Sequence, residues 1–523
     1  MQPPQPLVPY YRTWITTVTI CGRRAGHDVC YGISVLFNTA AFFIFFAAVL
    51  IAYRLLRHRE QNRLLLAASY VFYGWWDWRF CALLASSTVL DWALALAIER
   101  ARARGGATAA TRAVTASVIA NLAVLGFFKY FNFFVGSAEH LLQGLGYEGS
   151  TWTLGIILPV GISFYTFQSM AYTIDVYRGQ IGAEKSLRDF ALYVSFFPQL
   201  VAGPIERATT LLPQVRRPRV VTRSDWEEGL LLFGVGLFRK VAIADPAGSI
   251  ADTFFAAPAG HTSVQLAVGG FLYALQIYND FAGYSDMARG SARLLGFRLM
   301  RNFRHPYFAT SFSDFWQRWH ISLSSWLRDY LYIPLGGNRH GRLRTHVNLM
   351  LTMLLGGLWH GASWTFVAWG ALHGAFLIVQ HAWTGVAPGL ARYCLALPPF
   401  ANRSLPRLPG ATWLRTVQRG AAAVLVFGLV NLAWLFFRAP DFTTAAAYMR
   451  GLVAMTTGAE GAIVPLLVLA AFTLVIDVPQ AVADDEYVFL DWSVGRRALA
   501  AAAASLVLLA SGSVHAPFIY FQF

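Results

Sequence analysis

The sequence predicts an all-α polytopic membrane protein, and three observations predict it. Hydrophobic residues make up 56% of the chain and charged residues only 13%, against about 45–50% and about 25% in a soluble domain. Apolar runs approaching the ~20 residues that cross a bilayer recur along the whole length. Between them lie arginine-rich loops, in the place the positive-inside rule gives to cytoplasmic connections. These loops account for a formal net charge of +15. In a soluble protein that charge would suggest nucleic acid. Here helix orientation and contact with anionic membrane lipid explain it, and no nucleic-acid partner is expected.

The elements follow in order. Residues 1–34 carry Pro3, Pro4, Pro6 and Pro9 and lack the apolar core of a signal peptide. They are expected to be an appendage, with translation able to begin at Val35, and residues 35–523 a single membrane domain. Leu36–Tyr53 is the first apolar run, followed by Arg54, Arg57, Arg59 and Arg63. Leu64–Trp76 and Phe80–Ile98 form a hairpin around Asp77 and Arg79 that returns to Arg100, Arg102, Arg104 and Arg112. Ala113–Val135 crosses outward to a polar stretch, Gly136–Thr151, and Leu154–Ile174 returns. Leu192–Ile205 is apolar but holds Pro198, Gly203 and Pro204, so a re-entrant or broken segment is expected there. Gly229–Ala244 and Val264–Tyr278 come next, then Arg289, Arg293, Arg298, Arg301 and Arg304. Beyond a central stretch at 300–375 lie Val424–Phe437, Ile463–Ile476 and Ala498–Ala510. The sum is about 11 spans plus one or two partial ones. No 20–50-residue period repeats, so neither a solenoid nor an evident inverted repeat is expected.

The cysteines Cys21, Cys30, Cys81 and Cys394 form no CxxC pair and no cluster with metal spacing, so neither a disulfide framework nor a metal site is expected. P-loop, Rossmann, HExxH and GxSxG patterns are missing from the sequence.

The chemistry is expected in the central stretch. Ser311-x-x-Asp314 reads as a capping box opening an amphipathic helix along the cytoplasmic face. On it Trp316 and His320 are four apart and share a face with Leu323 and Leu327, and Asp314 can pair with Arg318. His320 suits either a site or plain packing among tryptophans. His360 lies in Leu354–Trp364, an apolar, glycine-rich run. An ionisable group at membrane depth is a functional hypothesis by default, and a neutral imidazole there is able to accept a proton from a hydroxyl. A hydrogen-bonded histidine between helices is the alternative. Asp280, Tyr284 and Asp286 form a third cluster at the expected end of a span, which also suits a salt-bridged helix end. His305, His340, His346 and His373 show no spacing that sets them apart. Residues alone leave two classes open, an enzyme and a transporter or structural subunit of an export complex.

Longer words decide between them. FFPQLVAGPIERA at 196–208, QIYNDFAGYSDMARG at 276–290, NFRHPYFATSFSDFWQRWHISLSSWLRDYLYIPLGGNR at 302–339, LGGLWHGASWTFVAWGALHG at 355–374 and FIYFQF at 518–523 resemble the membrane-bound O-acyltransferase (MBOAT) family, in its bacterial alginate O-acetylase (AlgI-like) branch. The resemblance implies a ring of helices around a central tunnel in the bacterial inner membrane. It also implies an O-acyltransferase that passes an acyl group, usually acetyl, from a cytoplasmic thioester toward an exported polysaccharide such as alginate. Acetyl-CoA or another acyl thioester would be donor substrate, with no bound cofactor, and a periplasmic SGNH-type acetyltransferase would be partner. The family histidines fall on His320 and His360. On this reading His360 is the base, and Trp316, Trp319, Trp359, Asp280, Tyr284 and Asp286 line the donor side. Arg301, Arg304, Arg318 and Arg328 contact coenzyme phosphates. His320 is then expected near the cytoplasmic face and His360 roughly 15–20 Å into the membrane. Asn279, Ala282 and Arg289 depart from the family words, and Arg289 is expected to alter the donor-side surface.

Overall fold

A computed structural model describes residues 18–24, 27–33, 36–146, 153–390, 412–458, 461 and 463–511. Val35, Cys394 and the aromatic terminus 518–523 lie outside the described residues. From Ala40 onward every described element is a helix. Ahead of them, Val18–Arg24 and His27–Ile33 pair as a two-stranded antiparallel hairpin, an element the reading of residues 1–34 did not foresee.

Five described helices are long and apolar enough to cross a membrane: Arg79–Ala103, Ala107–Gly144, Thr416–Arg438, Ile463–Ala483 and Val494–Ser511. Other apolar runs fall on shorter helices such as Ala40–Leu55, or on long helices whose apolar sequence is interrupted by buried polar groups. Leu192–Ile205 is broken as expected. Helix Leu187–Ser195 stops at Phe196, the short helix Phe197–Leu200 follows, and both are buried. Irregular backbone of this kind is tolerated at membrane depth only where protein surrounds it.

The arginine-rich loops gather at one end of the molecule. His58 Nε2 lies 3.1 Å from the Arg216 carbonyl, and Arg219 donates to Tyr53 Oη (2.7 Å) and Asn62 Oδ1 (2.6 Å). Gln214 donates to the Arg298 carbonyl at 3.0 Å, and Arg102 to the Val176 carbonyl at 2.9 Å. Ala183 N donates to Glu99, next to the basic segment 100–112, at 3.0 Å, and the adjacent Glu184 pairs with Arg216. Segments 54–63, 100–112, 216–223 and 289–304 are thus joined through short contacts, the arrangement that the charge rule requires of loops on one side of a membrane.

Helix Ser263–Leu294 is buried over most of its 32 residues and forms the centre. The sequence reading closed this element at Tyr278. It runs on instead: Asp280 is buried against Lys240 of a neighbouring helix, and the half-buried Asp286 lies beside Arg289 of its own helix and Arg239 of the neighbour. Its partner is helix Arg223–Phe238, which approaches so closely that a Cβ on Gly283 would stand 2.6 Å from the Gly236 carbonyl oxygen.

Helices Gly341–His360 and Trp364–Leu390 form a hairpin with its tip at Gly361–Ser363. Glycines bring the two arms into backbone contact: a Cβ on Gly370 would overlap the Met353 carbonyl oxygen, and one on Gly357 that of Phe366. Gly370→Val is expected to force the arms apart at the ~1–3 kcal/mol typical of overpacking, read as a lower melting temperature in detergent. Gly428→Ala, at a position with nothing within 4 Å, is the neutral control; equal behaviour of the two variants would sink the close-approach argument.

Candidate active site

Two segments bring the histidines together. His360 is the last residue of helix Gly341–His360, at the hairpin's tip. His320 lies between two short helices, Phe312–Arg318 and Ile321–Leu327, with φ 42° and ψ 55°, the left-handed region. That conformation costs free energy for a side-chain-bearing residue and persists where surroundings over-determine it. Here the flanking backbone is pinned on both sides. Arg304 N donates to the Arg318 carbonyl and Ile321 N to the Asn302 carbonyl, each at 2.9 Å. Asn302 Oδ1 also accepts from Ser322 N (3.2 Å) and Ser322 Oγ (3.0 Å).

The expected amphipathic helix through Trp316 and His320 is thus corrected. Ser311 does cap it by accepting from Asp314 N at 3.1 Å, and Arg318 Nε pairs with Asp314 at 2.6 Å. The helix then ends, and the chain turns inward at Trp319–His320. His320 does not sit near a face: it is 0% exposed, and its ring lies 4.6 Å from that of Phe281. Phe281 stands thirteen residues before helix Ser263–Leu294 ends among the basic loops, which at ~1.5 Å per residue is roughly 20 Å. The imidazoles of His320 and His360 lie with centroids 6.0 Å apart, so the separation in depth expected from their 40-residue spacing is overturned.

The chamber around them is aromatic. Trp359 is 5.8 Å from His320 and 5.1 Å from His360, centroid to centroid. Phe303 stacks parallel to His320 at 6.4 Å, while Trp369 and Phe437 each lie 5.2 Å from His360. A buried aromatic wall of this kind strengthens electrostatic interactions inside it and keeps bulk water out.

The remaining sequence candidates take other places. Trp319 is one ring away, 5.0 Å from Phe303. Trp316 packs 5.1 Å from His373, a fully buried histidine of the hairpin's second arm. Arg318 and Arg328 are held by Asp314 and Asp329, Arg301 by Glu486 at 3.2 Å and Arg304 by Asp484 at 2.5 Å. Each arginine of the rim expected to meet phosphates therefore already has a carboxylate beside it. Asp280 joins Lys240 at 2.9 Å, with Asp245 on the same ammonium at 2.7 Å. Tyr284 packs on Phe37 at 4.6 Å. Asp286 faces Arg289 (3.2 Å) and Arg239 (3.9 Å) at a cavity of about 10 Å³, which Phe303 also lines. These partners of the three are residues other than the two histidines. Arg289 is buried and paired to Glu486 at 2.5 Å, so it lies in the core and not on the donor-side surface.

Sequence reasoning missed Phe281, Phe303, Trp369 and Phe437, because aromatics in apolar runs carry no label for the surface they face. It also missed Lys129, for which a signal existed: a lone lysine in the otherwise apolar run Ala113–Val135.

Sequence similarity to known proteins places the chain in a family. Residues 180–388, which include both histidines, match the model of the membrane-bound O-acyltransferase family. The chain is 39% identical over 510 residues to a probable alginate O-acetylase of Pseudomonas putida, covering 92% of this chain and 98% of that one. It is 48% identical over 340 residues to one from Azotobacter vinelandii, covering 65% and 67%. A peptidoglycan O-acetyltransferase of Helicobacter pylori is 36% identical over 453 residues, 80% of each chain. With a relative matched along nearly its whole length and the buried histidine pair inside the matched region, the chain belongs to the membrane-bound O-acyltransferase family and is a multi-pass membrane O-acyltransferase.

Proposed function

We propose that this enzyme transfers an acetyl group from a cytoplasmic thioester, acetyl-CoA or a carrier-bound equivalent, toward an exported polysaccharide of the alginate class, in the bacterial inner membrane. The observation that carries the reading is the pair of imidazoles 6.0 Å apart at the hairpin tip, walled by aromatics. His360 accepts the proton as the acceptor hydroxyl oxygen attacks the thioester carbonyl. A carbon–oxygen bond forms, the carbon–sulfur bond breaks, and the leaving thiolate takes up a proton. His320, held in its strained backbone conformation, orients the carbonyl beside His360. The donor enters from the basic end, about 20 Å from the pair by the helix ruler above, and the acceptor reaches it from the opposite side. A periplasmic SGNH-type acetyltransferase passes the group onward to polymer. What supports alginate over other glycans is the near-complete coverage of the Pseudomonas putida relative; the Helicobacter pylori relative keeps peptidoglycan as the second reading.

The test is protein reconstituted in liposomes with its basic end exposed and ¹⁴C-acetyl-CoA outside. Release of free coenzyme A is expected to depend on acceptor inside, with alginate oligosaccharide above peptidoglycan fragments. A peptidoglycan preference replaces the acceptor assignment. Acceptor-independent silence with coenzyme and carrier-bound donors alike defeats the enzymatic reading of the site.

A further inference from the structure

The last carbonyls of an α-helix have no partner within the helix. At the end of Gly341–His360 three successive ones are taken by a single foreign turn. Tyr130 Oη donates to the Leu358 carbonyl at 2.9 Å, and Lys129 Nζ to those of Trp359 (2.5 Å) and His360 (3.2 Å). Lys129 and Tyr130 belong to a π-helical turn, Gly126–Tyr130, set inside the span Ala107–Gly144. In a continuous α-helix adjacent residues point about 100° apart. The wider π turn lets both side chains address one helix end, and such turns concentrate at functional sites.

The third proton of the ammonium is also placed. Lys129 Nζ lies 3.3 Å from Ser163 Oγ, in the first turn of helix Ile162–Arg178, and 5.7 Å from the Trp359 ring centroid. One cation thus ties three helices at the residue bearing the imidazole. Positive charge at a helix C-terminus is itself favourable. Plain packing of a span needs none of this, and an ionisable group in an apolar run is costly.

We propose that Lys129, assisted by Tyr130, is a positioning residue for acyl transfer: it clamps the terminal carbonyls of the hairpin arm and so fixes the His360 ring against the reacting hydroxyl. The inference rests on the reading of His360 as proton acceptor. Misplacement by about 1 Å costs on the order of 10²-fold in rate, so Lys129→Met is expected to lower kcat roughly 10²-fold. The KM for donor should stay within about twofold, since the clamp's bonds go to main-chain carbonyls of the hairpin arm. Lys129→Arg, which keeps charge and donors, should recover most of the loss. Tyr130→Phe, which removes one of the three carbonyl contacts, should lower kcat by roughly tenfold with normal folded yield.

The experiment measures kcat, donor KM and melting temperature for these variants of the full chain in nanodiscs, alone and combined with His360→Ala. A purely structural lysine would lower melting temperature and yield while leaving turnover per folded molecule near wild type, and that result overturns the proposal. So does a rise in donor KM at constant kcat. Should Lys129→Met fail to fold, Tyr130→Phe and Lys129→Arg decide: unchanged kcat in the first and no activity in the second reject it. An active His360→Ala enzyme removes the proposed role of His360 and this inference with it. A dead His360→Ala beside a normal Lys129→Met removes this inference alone.

Discussion

His360→Ala is expected to abolish acyl transfer while the protein still inserts and folds. The expected loss is at least the ~10²–10⁴-fold that a positioned general base contributes. Folding should survive because the hairpin is held by glycine-mediated backbone contact between its arms and by the Lys129 and Tyr130 bonds to main-chain carbonyls, none of which uses the imidazole. His360→Gln, closer in volume and able to hydrogen-bond, should be as inactive as the alanine variant, because an amide does not accept the proton. The measurement is coenzyme A release per folded molecule, with gel-filtration profile and melting temperature as folding controls. Near-normal turnover in either variant would return His360 to a structural role. His320→Ala tests the neighbour: a carbonyl-orienting group predicts a smaller kcat loss than His360→Ala.

The second large effect concerns stability. Asp477, 3% exposed, receives Arg239 Nη2 at 2.5 Å and the Tyr278 hydroxyl at 2.8 Å, with His305 Nδ1 at 3.6 Å. Arg239 also donates to Asn279 Oδ1 at 3.0 Å. Removing one partner of a buried pair leaves the other charge uncompensated and costs about 3–5 kcal/mol, whereas replacing both with apolar groups is often neutral. Arg239→Met should therefore strongly lower the melting temperature in detergent, and Arg239→Met/Asp477→Leu should restore much of it. An Arg239→Met variant within about 1 kcal/mol of wild type would mean that Asp477 finds water and that the network is not sealed.

The same network shows why Asn279 stands where the family word differs. Its amide accepts from Arg239 and donates to Thr473 Oγ1 at 3.0 Å. The departure is thus matched across three helices, and Arg289 is matched in the same way by Glu486.

The sequence by itself determined what depends on composition and local order. Apolar runs and arginine loops specified a helical membrane protein with its basic loops on one side, because transfer of apolar surface and of charge is set residue by residue. The break at Leu192–Ile205 was legible because proline and glycine act on their own backbone. The two histidines were legible as candidates because an imidazole in such surroundings is unusual and the words around them resemble a family. Tertiary structure alone decided that they meet. Their 40-residue spacing suggested two depths when the first was placed on a surface helix. The chain turns inward at His320 through a left-handed residue that only long-range hydrogen bonds to Asn302 and Arg304 sustain, and local propensity disfavours that conformation. The same holds for Asp280 and Asp286, which sequence proximity assigned to a span's end near the donor. Lys240 from another helix keeps Asp280 buried, and Arg239 approaches the half-buried Asp286, within a continuous helix, and such pairing across distant segments leaves no periodicity to read. Lys129 lies between the two cases: its oddity is visible in the sequence, but its target, three carbonyls more than 220 positions away, exists only once the hairpin tip has folded against the π turn.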